Sequence, residues 1–239
     1  MKYIIEFSKT GTICYTSHLD IMKVFKRAFN RAGIRLAYSQ GFNPHPRMGF
    51  AQPLSLGYLG MKEYMEFETS GEKATGDNIL KSLKETMPVG LDLKRIITAD
   101  WLKRTLAAET IAAEYLIDIP VNRFPREESG KEISGETMWH SYMDRAEILA
   151  WKKRKKKPEP VQINIRPKIR KLTFTKIEGD ESERIIIDAL LDSGSDSNLS
   201  PELVIATIAE HFRLDVDRAE IDVLRKRIVF SKDVEKQLT

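Results

Sequence analysis

The stretch that decides the fold reads SHLDIMKVFKRAFNRAG and occupies residues 17–33. Its apolar residues recur at three- and four-residue spacing, which predicts a helix over 17–32. The resulting apolar stripe comprises Leu19, Met22, Phe25, Ala28, Phe29 and Ala32. Ser17 is a typical N-cap, Asp20 completes a capping box, and Gly33 is a stop signal. The sequence itself therefore marks where this helix begins and ends.

The segments around this helix complete a β-α-β-β-α-β order. Period-two alternation and turn signals predict four strand-like segments and one further helix, at 2–7, 35–39, 63–69 and 91–97, and at 77–86. This order is that of the ferredoxin-like (split βαβ) α+β arrangement, which we expect over residues 1–100. We expect both helices on one face of its antiparallel sheet, with the other face left for partners. Residues 40–60 are rich in Gly and Pro and predict a long loop.

The second half predicts another α+β domain over 107–239, again of the ferredoxin-like kind. Its predicted strands and helices lie at 110–119, 161–165, 168–176, 185–191 and 221–230, and at 135–151 and 200–212. No sequence repeat relates the two halves, so this second prediction rests on element order alone. Residues 98–109 would join the domains, and 123–135 and 152–160 would be exposed loops.

Composition limits the classes of function. No apolar run approaches the 18 residues that a membrane-spanning helix needs, and the N-terminus has no signal-peptide pattern, so we expect a cytoplasmic protein. The single cysteine, Cys14, cannot form an intrachain disulfide or hold a thiolate-bound zinc or iron–sulfur cluster. The four histidines show no metal-binding spacing, and we predict no metal site and no cofactor in this chain.

Positive charge is concentrated in two places. The first 60 residues carry eight basic and two acidic side chains, a local charge of +6 in a chain whose net charge is +4. The second place is an unbroken basic run formed by Lys152, Lys153, Arg154, Lys155, Lys156 and Lys157. Clustered cations attract polyanions by releasing counterions, so nucleic acid is a candidate partner. A solvated surface with a solubilising loop is the alternative.

The polar side of the first helix predicts a phosphate-binding surface. Lys23, Arg27 and Arg31 recur every four residues and form a basic ridge, with Lys26 and Asn30 beside them. Like charges at this spacing repel by a few tenths of a kcal/mol per pair, so an anionic partner would relieve them. Arginine suits phosphate because it can bind it with two donors. An ordinary solvated helix face remains the alternative.

The loop YSQGFNPHPR at 38–47 combines stiffness with groups that recognise planar ligands. Pro44 and Pro46 restrict the backbone on both sides of His45. The candidate binding residues of this loop are Ser39, Gly41, Phe42, Asn43, His45 and Arg47. An aromatic ring, an amide, an imidazole and a cation suit stacking and hydrogen bonding with a nucleic-acid base. A rigid connector with Phe42 against the core is the competing interpretation.

His18 lies where the positive end of the helix dipole should lower its pKa and favour the neutral imidazole. A neutral histidine can act as a base, a metal ligand or a hydrogen-bonding contact to a substrate. Ser17 and Asp20 are explained by capping alone, although Asp20 is also a candidate binding residue. No catalytic residue is assigned, and His18 and His45 are the candidates if catalysis occurs.

Four segments carry a family resemblance: SHLD at 17–20, RAFNRAG at 27–33, AYSQGFNPHP at 37–46 and FAQPLSLG at 50–57. Together they resemble the signature of the radical SAM-linked proteins, the DUF2344 family, clearly over residues 1–70. Phe29-Asn30 stands where that family usually has Leu-Arg, which makes the helix face one charge poorer. The resemblance implies a radical SAM partner that carries an iron–sulfur cluster and S-adenosylmethionine. It implies no particular reaction for this chain.

These observations lead to one functional hypothesis and two rivals. The hypothesis is a non-redox accessory protein that binds ribosomal or transfer RNA for a radical SAM enzyme, through His18, the ridge and the loop 39–47 on one shared surface. Residues 152–157 would add a phosphate contact. One rival is a metal-independent endoribonuclease, by fold analogy with RAMP nucleases, with His18 as general base paired with His45. The other is a protein–protein adaptor for the radical SAM partner.

Overall fold

The computed structural model describes residues 1–71, 75–126, 130–154, 157–178 and 183–238. These residues form ten strands and six α-helices, a mixed α+β chain. In chain order the elements are β1 (Lys2–Lys9), α1 (His18–Arg31), β2 (Met48–Phe50), β3 (Leu59–Glu68), α2 (Gly76–Lys84), β4 (Leu91–Thr98), α3 (Leu106–Glu109), β5 (Thr110–Val121), α4 (Gly135–Met143), β6 (Leu149–Arg154), β7 (Lys157–Asn164), β8 (Ile169–Ile177), β9 (Glu183–Asp192), α5 (Pro201–Phe212), β10 (Asp222–Phe230) and α6 (Lys232–Leu238). No helix among the described residues combines the length and the apolar character that crossing a membrane requires.

The chain divides into two compact units. The first contains Met1–Ile111 together with Arg225–Thr239, and the second contains Ala112–Leu224. The sequence predicts one second domain over 107–239. The segment Arg225–Thr239 instead belongs to the first unit.

In the first unit, β1 is the central strand of an antiparallel sheet. It pairs with β3 on one side and β4 on the other, β2 pairs with the far edge of β3, and β10 also neighbours β3. Alternate β1 side chains point to opposite faces, as the pleat requires. Tyr3, Ile5 and Phe7 pack with residues of α1 and α2, including Phe25 and Leu83.

The opposite face of this sheet is covered as well. Ile4 and Tyr64 pack there in a second apolar cluster with Leu106, Phe230 and Val234. The expectation that this face is left for partners is therefore wrong. The residues that cover it come from the end of the chain and from α3, which no local pattern in the first hundred residues could reveal.

Several element boundaries also differ from those predicted. The strand beside β3 is β2, not 35–39, whose contribution is limited to isolated bridges such as Leu36–Thr69. The helix predicted over 135–151 ends at Met143, where the N–H of Asp144 reaches the carbonyl of His140, and a strand follows. The expected loop at 152–160 lies mostly within the antiparallel pair β6 and β7.

The second unit is built on β9, which pairs antiparallel with both β5 and β8. Ile187 of β9 stands opposite Ile117 on one side and Phe174 on the other, so the middle of this sheet is apolar. The first residue of α4, Gly135, lies very close to the backbone of β8. A Cβ built at Gly135 would be only 2.3 Å from the carbonyl oxygen of Phe174. Only glycine fits that approach without a backbone shift.

Candidate functional site

His18 is the first residue of α1 and lies at the edge of the first unit's core. Ser17 caps the helix by accepting a 3.2 Å hydrogen bond from the backbone N–H of Asp20, as predicted. The His18 ring meets Phe50 edge-on, with 5.1 Å between ring centroids. It lines a small hollow of about 20 Å³ together with Phe7, Lys9, Ile21, Phe50, Gln52, Leu54 and Glu63. That volume is enough for about one water-sized group.

A buried cluster of charged side chains lies at this hollow. Arg225 of β10 binds Glu63 of β3 with two nitrogens; its Nε donates to Oε1 at 2.8 Å, and its Nη2 donates to Oε2. These side chains are only 2% and 4% exposed. Arg225 also donates to the carbonyl oxygens of Gln52 and Pro53, at 3.0 and 3.3 Å. The pair therefore ties the end of the chain to the loop that precedes β3.

Lys9 is the third member of the cluster and is 3% exposed. Its ammonium donates to the carbonyl oxygens of Cys14 and Thr16, both at 3.0 Å. Its third N–H has no acceptor among the described residues, and no described carboxylate forms an ion pair with it. Because Glu63 is already engaged by Arg225, the cluster of Lys9, Arg225 and Glu63 carries one net positive charge.

This environment lowers the pKa of His18 below its usual value. Burial is the largest cause, and the positive charges of Lys9 and Arg225 follow. Burial also lowers the pKa of Lys9. The predicted direction for His18 is confirmed, although the helix dipole was the reason given. Of the two cations that act on the ring, Lys9 ends the strand before α1, and only Arg225, on β10, is far away in sequence.

The basic ridge faces away from this hollow. Successive residues of an α-helix are rotated by about 100°, so Lys23, Arg27 and Arg31 point about 140°, 180° and 220° away from His18. All three are exposed, whereas His18 is half-buried. The hypothesis of one surface shared by His18 and the ridge is therefore wrong. The side chains of α1 that pack into the core under the sheet are Ile21, Phe25, Ala28 and Phe29, whereas Leu19 of the predicted stripe is 67% exposed.

Two of the three ridge cations have partners that the sequence did not reveal. Lys23 forms a 2.9 Å ion pair with Asp20, which also accepts the hydroxyl of Ser17 at 2.7 Å. The hydrogen bond from Ser17 is the largest cause of a lowered pKa of this carboxyl, and Lys23 adds to it. Arg31 donates to the backbone carbonyl of Thr86 at 2.9 Å. Arg27 has no ion-pair partner in the part of the chain that the structure describes.

The loop 39–47 is an exposed projection closed at its base. The backbone N–H of Ser39 donates to the carbonyl of His45 at 2.8 Å, and the His45 N–H donates to the Ser39 hydroxyl at 2.9 Å. The tip is solvent-exposed through Gly41, Phe42 and Asn43, with Phe42 fully so. Phe42 therefore does not cover the core. The alternative interpretation, in which the loop is a rigid connector with Phe42 packed against the core, is wrong for this side chain.

The remaining loop candidates do not reach the hollow. The ring of His45 is exposed on the projection and is not among the side chains that line the space beside His18. Arg47 pairs with Glu68 at 3.0 Å on the sheet. The structure therefore does not bring His18 and His45 together as the acid–base pair that a nuclease would use.

The basic run of the second unit lies mainly on strands. Lys152 and Lys153 are exposed on β6, next to Trp151, which is 58% exposed. Arg154 ends β6 and Lys157 begins β7, while Lys155 and Lys156 lie outside the described residues. This part of the chain is thus a basic two-stranded ribbon with an aromatic side chain.

The second unit also contains a serine–histidine pair that the sequence did not suggest. Ser141 Oγ and His211 Nε2 are 2.8 Å apart, and Arg145 Nη1 lies 3.5 Å from His211 Nδ1. No described carboxylate contacts His211, and its other neighbour is the cation Arg145. The pair therefore lacks the third member of a serine-hydrolase triad.

No group of three or more potential metal-binding side chains comes together within the described ranges. The fold and the site thus define a mixed α+β protein with a cationic helix face, a projecting aromatic loop and a half-buried histidine beside a buried ion cluster. The family described as "Uncharacterized protein conserved in bacteria (DUF2344)" matches residues 2–201, and the chain belongs to this family.

Two further comparisons add no functional information. No curated protein matches this chain. A crystal structure of an unknown protein from Galdieria sulphuraria is similar over 94% of this chain and 97% of that chain, with 12% identity and a TM-score of 0.25. A likeness of that size carries no argument about fold or function.

Proposed function

We propose that this protein binds RNA and acts as a non-redox accessory protein to a radical SAM enzyme. The observation that carries the RNA part is the exposed cationic face of α1, where Lys23, Lys26, Arg27 and Arg31 all meet solvent. Among these four cations, Lys23 alone has an ion-pair partner within the described residues, the carboxylate of Asp20. A row of cations along one helix suits the repeated phosphates of a nucleic-acid strand.

The projecting loop supports RNA over a smaller polyanion. Phe42 is fully exposed at the tip, and the base of the loop is held by the hydrogen bonds between Ser39 and His45. An exposed ring on a braced loop can stack on an unpaired base, an interaction worth about 1–3 kcal/mol per base. Asn43 and His45, both exposed, could hydrogen-bond to base edges.

The ribbon of β6 and β7 offers an additional contact. Exposed Lys152 and Lys153 adjoin Trp151, and this combination of cations and an aromatic ring is typical of surfaces that bind single-stranded nucleic acid. Because this ribbon belongs to the second unit, its role is proposed independently of α1.

The radical SAM part of the proposal rests on the motif resemblance. In that arrangement the partner holds the iron–sulfur cluster and S-adenosylmethionine, because this chain has only Cys14 to offer as a thiolate. The proposal also includes the fold: the antiparallel order β4-β1-β3-β2 supports a ferredoxin-like (split βαβ) first unit to which β10 has been added.

The test replaces Arg27 and Arg31 together by alanine. RNA binding is measured by fluorescence anisotropy at several salt concentrations. The control is Lys81→Ala with Lys84→Ala, which removes the same charge from the exposed side of α2. If each arginine binds one phosphate, its loss lowers the slope of log affinity against log salt by about 0.7, so the double variant loses about 1.4.

The results separate the candidate functions. A lower slope of log affinity against log salt in the Arg27/Arg31 variant, with an unchanged slope in the control, supports the proposal that RNA binds this face of α1. Equal effects in both variants would mean that the chain attracts RNA only through its general charge. A chain that binds a radical SAM protein in high salt and has no affinity for RNA would be an adaptor instead. RNA cleavage that is lost in His18→Ala would favour the nuclease.

A further inference from the structure

The hollow beside His18 contains polar groups whose arrangement the packing of the first unit does not require. A buried lysine is costly because its ammonium leaves water, and proteins normally compensate with a carboxylate. Here the nearest carboxylate, Glu63, is held by two nitrogens of Arg225, and Lys9 reaches only carbonyl oxygens. One donor of Lys9 is left over in a side chain that lines the hollow.

His18 adds a second unused donor or acceptor at the same place. Neither of its ring nitrogens has a hydrogen-bond partner within the described part of the chain, and the ring is held by its edge contact with Phe50. The first turn of α1 adds the positive end of a helix dipole. Lys9 and the α1 terminus therefore supply positive potential at one small opening. The Glu63 carboxylate also lines this opening, and its charge is compensated by Arg225.

We propose that this hollow binds the carboxylate group of a small ligand, which accepts hydrogen bonds from Lys9 Nζ and from the His18 ring. The cluster's single excess positive charge matches a monoanion. The accessible space of about 20 Å³ admits an oxygen of a flat carboxylate more readily than a tetrahedral phosphate. Phe7, Phe50 and Leu54 line the remaining wall, and the space is too small for the ligand's carbon chain, which would lie outside it.

This site is separate from the phosphate contacts proposed for Lys23, Arg27 and Arg31, because these side chains point about 140° or more away from His18 around the helix. Exposed apolar side chains lie near the hollow in sequence: Tyr15 and Leu19 flank His18, and Leu56 follows Leu54. The N–H of Gly57 donates to the carbonyl of Cys14 at 2.9 Å, which joins the two segments. A ligand larger than its carboxylate could rest on these side chains.

The experiment follows the imidazole signals of ¹⁵N-histidine-labelled protein during a titration with sodium acetate at constant ionic strength. Sodium chloride and inorganic phosphate serve as parallel titrants. The His18 signals are those absent from the spectrum of His18→Gln. We expect a saturable shift of the His18 signals with acetate, no saturable shift with chloride, and a weaker response to phosphate.

Two variants distinguish a specific site from general charge. Lys9→Gln keeps donors for the carbonyls of Cys14 and Thr16 but removes the charge, and it should weaken acetate binding by about tenfold or more. The control Lys62→Gln removes a lysine whose side chain is 42% exposed on the same sheet. It should leave the affinity for acetate unchanged. A shift that never saturates, an equal response in both variants, or saturation with phosphate alone would overturn the proposal. If Lys9→Gln does not fold, the acetate, chloride and phosphate titrations of the unaltered protein decide the question.

Discussion

Replacing Glu63 by glutamine removes the only carboxylate from the buried cluster and leaves the charges of Arg225 and Lys9 without compensation. Removal of one partner from a buried ion pair typically costs about 3–5 kcal/mol of the free energy of unfolding. The side chains of Glu63 and Arg225 are 4% and 2% exposed, so solvent cannot screen the loss. We expect Glu63→Gln to lower the free energy of unfolding by an amount in that range.

Arg225→Met should also cost about 3–5 kcal/mol of the free energy of unfolding. It strands the Glu63 carboxylate and removes the donor to the carbonyl oxygens of Gln52 and Pro53. The double variant removes both charges at once, so its cost should be smaller than the sum of the two single costs. The expected coupling is about 2 kcal/mol or more, from the usual range for residues in direct contact.

Urea unfolding measured by circular dichroism gives these free energies, provided that the dependence on urea concentration is similar in all variants. The control is Asp92→Asn, which breaks the exposed pair of Asp92 and Lys94 on β4 and should cost less than about 1 kcal/mol. Single costs below about 1 kcal/mol, or strictly additive costs in the double variant, would refute the claim that this cluster is buried and coupled.

Further predictions concern individual side chains of the first unit. Ser17→Ala should lower the unfolding free energy by about 1 kcal/mol through loss of the cap, as thermal unfolding can measure. Gly60→Ala should also destabilise, because its Cβ would lie 2.7 Å from Glu63 Oε1, and unchanged stability would contradict that contact. Since the folded state lowers the pKa of His18, the unfolded chain binds a proton first as pH falls below 6.5. Stability should therefore decline there, and less steeply in His18→Gln when urea unfolding is repeated across pH. Phe42→Ala should change the unfolding free energy by less than about 0.5 kcal/mol while weakening RNA binding in the anisotropy assay.

The sequence predicts helix α1 closely because its signals are local. The Ser17 cap and the apolar stripe place its limits within one residue of those observed, His18–Arg31. Strand β2 has no such signal, since three residues are too few to show alternation, and its pairing with β3 is set by contacts distant in sequence. The helix over 135–151 was overextended because no glycine or proline marks its end at Met143.

Some residues of the candidate site can likewise be predicted from local sequence signals, and others cannot. The exposed cations of α1 follow from helix periodicity and could be read from sequence. The ion cluster could not, because Glu63 and Arg225 are 162 residues apart and meet only when the end of the chain joins the first unit. The ion pairs of Lys23 and Arg47 likewise needed coordinates to be seen.

In the proposed function, RNA lies against the exposed face of α1 and the loop 39–47. Ultraviolet crosslinking of bound RNA, followed by mass spectrometry of the peptides, maps that contact without any substitution. We expect nucleotide adducts on the peptide that contains Phe42 and on peptides that cover 23–31. Adducts confined to other parts of the chain, such as α2, or a complete lack of adducts with RNA bound, would contradict it.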